Sequence, residues 1–223
     1  MEDPVLWKDS FKSQEDFFTN SVFVNIVKTM IISSPKNSSE TMAQFIPFSD
    51  KVEVIGQTVL ATMAAFPDSM KSVGLTILEN NGLKDLNAMN WYSQKKWLDA
   101  FRQISEKFGQ NTLFEIGKKI PENAVFPPQV NTLEQALSSI DVAYRMNHRN
   151  GEIGYYKLLS FDGKAKKAVM ECYNPYPCSF DKGIIISLSR KFHRGNGVIN
   201  VELDTTRPSR LQNGEKSWYI ITW

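Results

Sequence analysis

Apolar residues in the first two thirds of the chain recur at the three- and four-residue spacing of helices. The clearest stripe predicts a helix over residues 91–108. A second stripe predicts a helix that is capped by Asn131 with Glu134 and that runs to Tyr144. Both stripes carry large apolar side chains, so we expect each of them to face the interior.

Weaker patterns complete this part of the chain. Residues 51–65 fit two patterns, because Val52 and Val54 alternate as in a strand while the residues after them follow helical spacing. Both possibilities stay open for that segment. Three further helices are predicted, from Ser13 to Ser33, from Pro67 to Gly82, and from Asn111 or Thr112 to Lys119.

After residue 151 the pattern changes from helical spacing to the alternation that is typical of strands. Residues 153–161 and 164–173 flank the dipeptide Asp162-Gly163. This dipeptide favours a two-residue hairpin turn, because both of its residues tolerate positive φ. The pattern therefore predicts an antiparallel pair of strands with a tight connection.

A two-residue turn also fixes which residues of this hairpin face each other. It places Tyr155 opposite Met170, and it puts Tyr155, Met170 and Cys172 on one face of the sheet. Tyr156 then lies on the other face. We expect Met170 and Cys172 to contribute to the interior.

The last part of the chain predicts a helix and more strands. The helix runs from about Asp181 to Phe192, and strands follow over residues 197–204 and 216–223. Helices followed by strands indicate an α+β fold, with N-terminal helices packed on a twisted, mostly antiparallel sheet of four to five strands. We expect residues 1–50 to form a helix and loop extension, and residues 51–223 to form a single domain.

The composition is that of an ordinary globular protein, with 42% hydrophobic and 22% charged residues. Two cysteines argue against a disulfide framework. Glu2 and Asp3 do not resemble the basic start of a signal peptide, and no transmembrane segment is predicted, so we expect a cytoplasmic protein. Residues 145–223 carry thirteen basic and seven acidic groups, which either attract an anionic ligand or form a solvated face.

The candidate chemistry is concentrated in and next to the stretch from Tyr144 to Phe192. Cys178 precedes the last predicted helix, where the helix dipole favours a thiolate. Such a thiolate suits a ligand contact, redox sensing or nucleophilic attack, whereas the alternative is a small residue that packs a corner. His148 is predicted to be a cation at a helix C-terminus, with haem ligation or an anion contact as alternatives.

Several classes of site are disfavoured. Zinc is disfavoured because five residues separate Cys172 from Cys178, and both histidines lie far from them. Gly195 and Gly197 lie between a helix and a strand, which is the wrong context for a dinucleotide loop. Nucleic acid is disfavoured because the basic residues lack an aromatic stacking pattern. No catalytic residue is assigned, and we lean against an enzyme.

Several segments, taken together, carry a resemblance to a known family. They are GLTILENNGLKDL, WYSQKKWLDAFRQI, FGQNTLFEIGKKIP, SIDVAYRMNHRNGEIGYY and ECYNPYPCSFDKGII. Over about residues 55–223 the chain resembles the bacterial 4-vinyl-reductase-like domains and the related Bet3-like subunits of vesicle-tethering complexes. The resemblance implies an α+β domain that is usually dimeric and senses aromatic or hydrophobic molecules. The family often has cysteines where this chain has Ser209 and Ser217, which argues against a metal role.

The sequence therefore predicts a small-molecule sensor or binding domain with a hydrophobic pocket at the helix–sheet junction. The alternatives are a dimeric adaptor without a cavity and a haem- or thiol-dependent enzyme. The expected ligand is a hydrophobic or aromatic molecule, with haem as another possibility, and Arg145 or Arg149 is expected to pair with a ligand carboxylate. The expected protein partners are a second copy of the chain and a separate output protein. The predicted ligand-binding residues are Tyr144, Arg145, His148, Arg149, Tyr155, Met170, Cys172, Tyr176 and Cys178.

Overall fold

The structure is a computed structural model that describes residues 44–223. The helix predicted from Ser13 to Ser33 lies outside these residues. The described part contains both helices and antiparallel sheets, so the α+β class predicted from the sequence is confirmed. The α-helices are α1 (Gly56–Met63), α2 (Asp68–Asn80), α3 (Gln94–Phe108), α4 (Gln110–Glu122), α5 (Leu133–Met146) and α6 (Cys178–Phe192).

The strands form two antiparallel sheets. One is a small sheet in the order β2-β1-β3, and the other has four strands in the order β4-β5-β7-β6. The larger sheet matches the predicted sheet of four to five strands. The strands are β1 (Glu53–Ile55), β2 (Trp91–Ser93), β3 (His148–Arg149), β4 (Tyr155–Asp162), β5 (Lys167–Tyr173), β6 (Asn200–Leu203) and β7 (Ser217–Thr222).

The predicted helical stripes face the interior. On α3, Trp97, Phe101 and Ile104 are all fully buried, and Trp97 packs edge-on against Phe101 with 4.4 Å between ring centroids. The segment over residues 51–65, which fitted both patterns, contains strand β1 followed at once by helix α1. Each pattern is therefore correct for a different part of that segment.

Helices α4 and α6 touch backbone to backbone. A Cβ atom on Gly117 would lie 2.2 Å from the carbonyl oxygen of Phe180, and one on Gly183 would lie 2.2 Å from that of Phe114. Only glycine allows so close an approach. This contact fixes how α6 lies against α4, and thereby positions the α6 side chains that reach the functional site.

The hairpin register predicted from a two-residue turn is wrong. Asp162 pairs with Lys167, so the turn has four residues, and Lys166 adopts a positive φ of 52°. The carboxylate of Asp162 accepts hydrogen bonds from the backbone amides of Lys164 and Ala165, which stabilises the longer loop.

The longer turn, with a register irregularity between Leu158 and Ser160, changes which residues share a face. Tyr156 lies opposite Cys172, and Leu158 lies opposite Met170. Tyr156, Met170 and Cys172 are buried on the inner face of the sheet, whereas Tyr155 lies on the other face.

Two helix starts also differ from prediction. The cap of α5 is Thr132, which exchanges hydrogen bonds with Gln135 as a capping box, instead of Asn131 with Glu134. Helix α6 begins at Cys178, three residues before the predicted start at Asp181. Pro177 lies at its N-cap, where its fixed φ suits entry into a helix.

Candidate functional site

A cavity of about 120 Å³ lies between α1, α4, α5 and α6. No Lys, Arg, Asp or Glu side chain lines it, and its non-aromatic polar lining residues are Gln57, Thr58, Asn123, Ser139 and Asn147. Such a surface suits an apolar guest. The apolar side chains include Ala61, Ile120, Phe126, Ile140, Ile184 and Leu188.

One wall of the cavity holds a hydrogen-bonded pair, His148 and Tyr176. The imidazole Nδ1 lies 2.8 Å from the backbone oxygen of Tyr144, and its Nε2 lies 2.7 Å from the Tyr176 hydroxyl. A carbonyl oxygen can only accept, so Nδ1 carries the proton and Nε2 accepts from the hydroxyl. Tyr144 lies in the last turn of α5, and His148 follows just after the helix, in β3.

His148 does not carry the positive charge that was predicted for it at the helix end. The side chain is buried, and burial lowers its pKa from 6.5 to about 4, although the hydrogen bond to Tyr144 opposes that shift. His148 is therefore a neutral imidazole near pH 7. It is an uncharged part of the cavity wall.

Two further tyrosines stand beside this pair. The Tyr144 hydroxyl donates to the backbone oxygen of Ile153, and the Tyr156 hydroxyl donates to Asp181 at 2.6 Å. Their rings pack edge to face, with 5.1 Å between centroids. Burial raises the pKa of both phenols, so both stay protonated.

The side-chain amide of Gln94 lies near the hydroxyls of Tyr144 and Tyr176. Gln94 is fully buried, and its atoms approach those hydroxyls without meeting hydrogen-bond geometry. The indole nitrogen of Trp97 also approaches the Tyr176 hydroxyl without meeting hydrogen-bond geometry. The polar tips of the tyrosines therefore lie in a shared buried layer behind the cavity wall.

A buried ion pair supports this layer from the sheet side. Asp181 and Arg210 are in contact and are both fully buried. The guanidinium also donates to Asn174 at 2.6 Å and, through Nε, to Ser217 at 3.2 Å. Burial raises the pKa of the Asp181 carboxyl, and Arg210 opposes that shift. The pair thus connects α6 to the segment before β7, next to Tyr156.

The structure brings three of the predicted ligand-binding residues together at the cavity: Tyr144, His148 and Tyr176. Arg145 and Arg149 do not line it. Arg145 is exposed and pairs with Asp141, and Arg149 is exposed and pairs with Glu53. The expected carboxylate contact from these arginines is therefore not part of this cavity.

The other four predicted residues also lie away from the cavity. Met170 and Cys172 are fully buried on the inner face of the sheet, as core residues. Tyr155 lies on the outer face and donates to Glu171, because the register differs from the predicted one. Cys178 is buried, its backbone amide donates to Gln44, and its Sγ lies 3.1 Å from the Ser217 hydroxyl.

Tyr156, Asp181 and Arg210 are the site residues that the sequence analysis missed. Tyr156 was assigned to the wrong sheet face, because β4 carries one extra residue between Leu158 and Ser160, and this reverses the alternation of its side chains before that point. The Asp181–Arg210 pair joins residues that are 29 positions apart, so local spacing carries no signal for it. The hint for Tyr156 was its position next to Tyr155 in an alternating segment, where one of the two must face inward.

Comparison with solved structures identifies the fold. An H-NOX protein from S. oneidensis, in an Fe(II)NO ligation state, matches with a TM-score of 0.58 at 11% identity, covering 75% of this chain and 97% of that chain. A point mutant of T. Tengcongensis H-NOX gives 0.54 at 16% identity, with coverage of 75% and 96%. An Fe(II) unliganded H-NOX protein from K. algicida gives 0.53 at 13% identity, with coverage of 75% and 95%.

Over three quarters of its length the chain thus has the fold of H-NOX domains, and at these identities the likeness concerns fold alone. No protein-family model matches the sequence, and no curated protein matches it significantly. The resemblance to 4-vinyl-reductase-like and Bet3-like domains is wrong, since the structural neighbours are H-NOX domains. Helices followed by an antiparallel sheet are common to both groups, so the order of elements did not separate them.

The described residues contain neither a helix that could span a membrane nor a group of metal ligands. Within residues 44–223, no helix is both long and apolar enough to cross a bilayer. In the same range, no group of three or more His, Cys, Asp or Glu side chains is arranged to hold a metal ion.

Proposed function

We propose that this chain is a small-molecule sensor or binding domain whose ligand occupies the cavity between α1, α4, α5 and α6. The single observation that carries the proposal is an apolar cavity between four helices, at the border of the hydrophobic core. Interiors of proteins are close-packed, so an apolar space of this size has a cost that a bound ligand would offset.

The surroundings of the cavity support the same function. The residues of its wall connect directly to the buried Asp181–Arg210 pair through the Tyr156 hydroxyl. A ligand that displaces Tyr156 would therefore also act on a buried charge network, which is a suitable element for passing on a signal. The H-NOX fold of the chain agrees with such a role, since one neighbour was solved in an Fe(II)NO ligation state.

The test compares wild-type protein with a variant whose cavity is filled. Ala143 lines the cavity, whereas Val142, its neighbour on α5, is 59% exposed. Ala143→Leu should abolish the gain in thermal stability that a panel of small molecules gives the wild-type protein, and Val142→Leu should retain it. A panel without any stabilising member, or equal stabilisation of Ala143→Leu, would rule out ligand binding at this cavity.

A further inference from the structure

We infer that the ligand of this cavity is a neutral, apolar molecule of about one aromatic ring, and that the cavity does not hold haem. This inference rests on the proposed function and adds the chemical class of the ligand. It follows from three properties of the wall: its charge, its hydrogen-bonding capacity and its size.

The wall offers no charge to an ionic ligand. The buried charges behind the wall, Asp181 and Arg210, are already paired with each other and hydrogen-bonded to their surroundings. The Lys191 ammonium already donates to the carbonyls of Pro121 and Ala124 in the lining. His148 is neutral near pH 7, because burial lowers its pKa. A carboxylate or ammonium group in this space would be desolvated without a partner, at a cost that binding rarely overcomes.

The hydrogen-bond donors of the aromatic wall are already used. The His148 Nδ1–H donates to the Tyr144 carbonyl, and the Tyr176 hydroxyl donates to His148. The hydroxyls of Tyr144 and Tyr156 donate to Ile153 and Asp181. A ligand that requires donors from this wall would have to break one of these buried bonds, which favours a ligand without strong acceptors.

The size of the cavity selects a small guest. Its volume of about 120 Å³ is close to that of an engineered apolar cavity of about 150 Å³ that stays dry and binds benzene or xenon. Pockets for drug-sized ligands span about 300–1,000 Å³. A porphyrin, which has four pyrrole rings, therefore does not fit in this arrangement.

The side chains also do not suit haem iron. Axial haem ligands are His, Cys, Met or Tyr. Among the cavity-lining residues these are His148, whose two ring nitrogens both have partners, and tyrosines whose protonated form is favoured by burial. The other histidine of the described chain, His193, lies beside Trp223 and does not line the cavity. The residues present therefore disagree with the haem for which several of the H-NOX neighbours were studied.

The test uses a neutral ligand, its charged counterpart and haemin. Near-saturating benzene should raise the melting temperature of the full chain by about 3 °C or more, and benzoate at the same concentration should not. The gain should be lost in Ala143→Leu and kept in Val142→Leu. Haemin added to the purified wild-type protein should give the same Soret absorption as haemin added to His148→Gln.

Each outcome separates the inference from the proposed function. Equal stabilisation by benzoate, or a Soret band that disappears in His148→Gln, would overturn the ligand class while leaving a ligand-binding cavity. If benzene stabilises Ala143→Leu as much as wild type, or if no tested molecule stabilises the protein, both the inference and the proposed function fail. If His148→Gln does not fold, Ala143→Leu serves instead. Since the cavity should hold no haem, filling it should leave the spectrum of added haemin the same as with the wild-type protein.

Discussion

His148 is the residue whose local chemistry depends most on the fold. In the sequence it stands between basic residues near a helix end, which favours a charged imidazole. In the structure it is buried with both ring nitrogens bonded, so it is neutral. Local patterns predicted this residue as a ligand contact and assigned it the wrong charge, because its burial and its bond to Tyr176 depend on a distant part of the chain.

The depressed pKa of His148 predicts how stability depends on pH. The unfolded chain protonates this histidine below about pH 6.5, whereas the folded chain does so only near pH 4, so the free energy of unfolding should fall as pH drops through that window. The loss is roughly 3 kcal/mol. Urea denaturation at pH 7, 6, 5 and 4 would measure it.

His148→Gln provides the control for that titration. This variant lacks the ionisable ring, so the difference in free energy of unfolding between it and wild type should shrink as pH falls from 7 to 4. A difference that stays constant over this range would show that His148 is not held neutral in the folded protein.

Arg210 forms a fully buried ion pair with Asp181, and we expect its loss to destabilise the fold. Removing one partner of a fully buried ion pair leaves the other charge uncompensated, so Arg210→Met should lower the free energy of unfolding by about 3–5 kcal/mol. Arg207→Met removes a half-exposed arginine that pairs with Asp204 and should cost much less. Chemical denaturation would compare the two variants, and equal losses would contradict a special role for the buried pair.

At the scale of elements, the start of α5 determines where Tyr144 and His148 stand. Thr132→Ala removes the cap and should lower the free energy of unfolding by about 1 kcal/mol. Asn131→Ala is the matched control, because the backbone amide of Asn131, which this change leaves in place, is what bonds to Gln135. Thermal denaturation measures both, and a larger loss for Asn131→Ala would place the cap where the sequence first predicted it.

The α4–α6 contact gives a second prediction for elements. In Gly183→Ala the added methyl group would meet the Phe114 carbonyl, so the helices must separate, at a cost of about 1–3 kcal/mol. Gly163→Ala, in the hairpin turn, meets its nearest heavy atom at 3.7 Å and should cost little or even stabilise. Equilibrium denaturation measures the free energy of unfolding of both variants. An unchanged value for Gly183→Ala would contradict the close contact between α4 and α6.

For the whole molecule, the sequence was sufficient for the class of fold and insufficient for its identity. Helical spacing located the buried face of α3, and the change to alternation located the sheet. Register was lost at the turn, where the Asp162 side chain supports four residues instead of two, and at the irregularity between Leu158 and Ser160, which local alternation does not predict. The contact between Asp181 and Arg210 depends on packing between distant segments, which no local pattern encodes.

The candidate site, too, was predictable only where its residues lie close together in the sequence. Tyr144, His148 and Tyr176 were predicted because they lie close together in sequence around one helix–sheet junction. The α1 and α4 side chains of the cavity, such as Ala61 and Ile120, come from distant parts of the chain and follow the pattern of ordinary core residues. An empty space between helices has no signature in sequence, since it is defined by what does not fill it.

The central question is what enters the cavity between α1, α4, α5 and α6. A crystal structure of the full chain soaked in benzene would answer this question. We expect one ring-shaped feature of density beside Ile140 and Ile184, with His148 and Tyr176 still bonded to each other. A cavity without density, at a benzene concentration that saturates an accessible apolar site, would contradict the central claim.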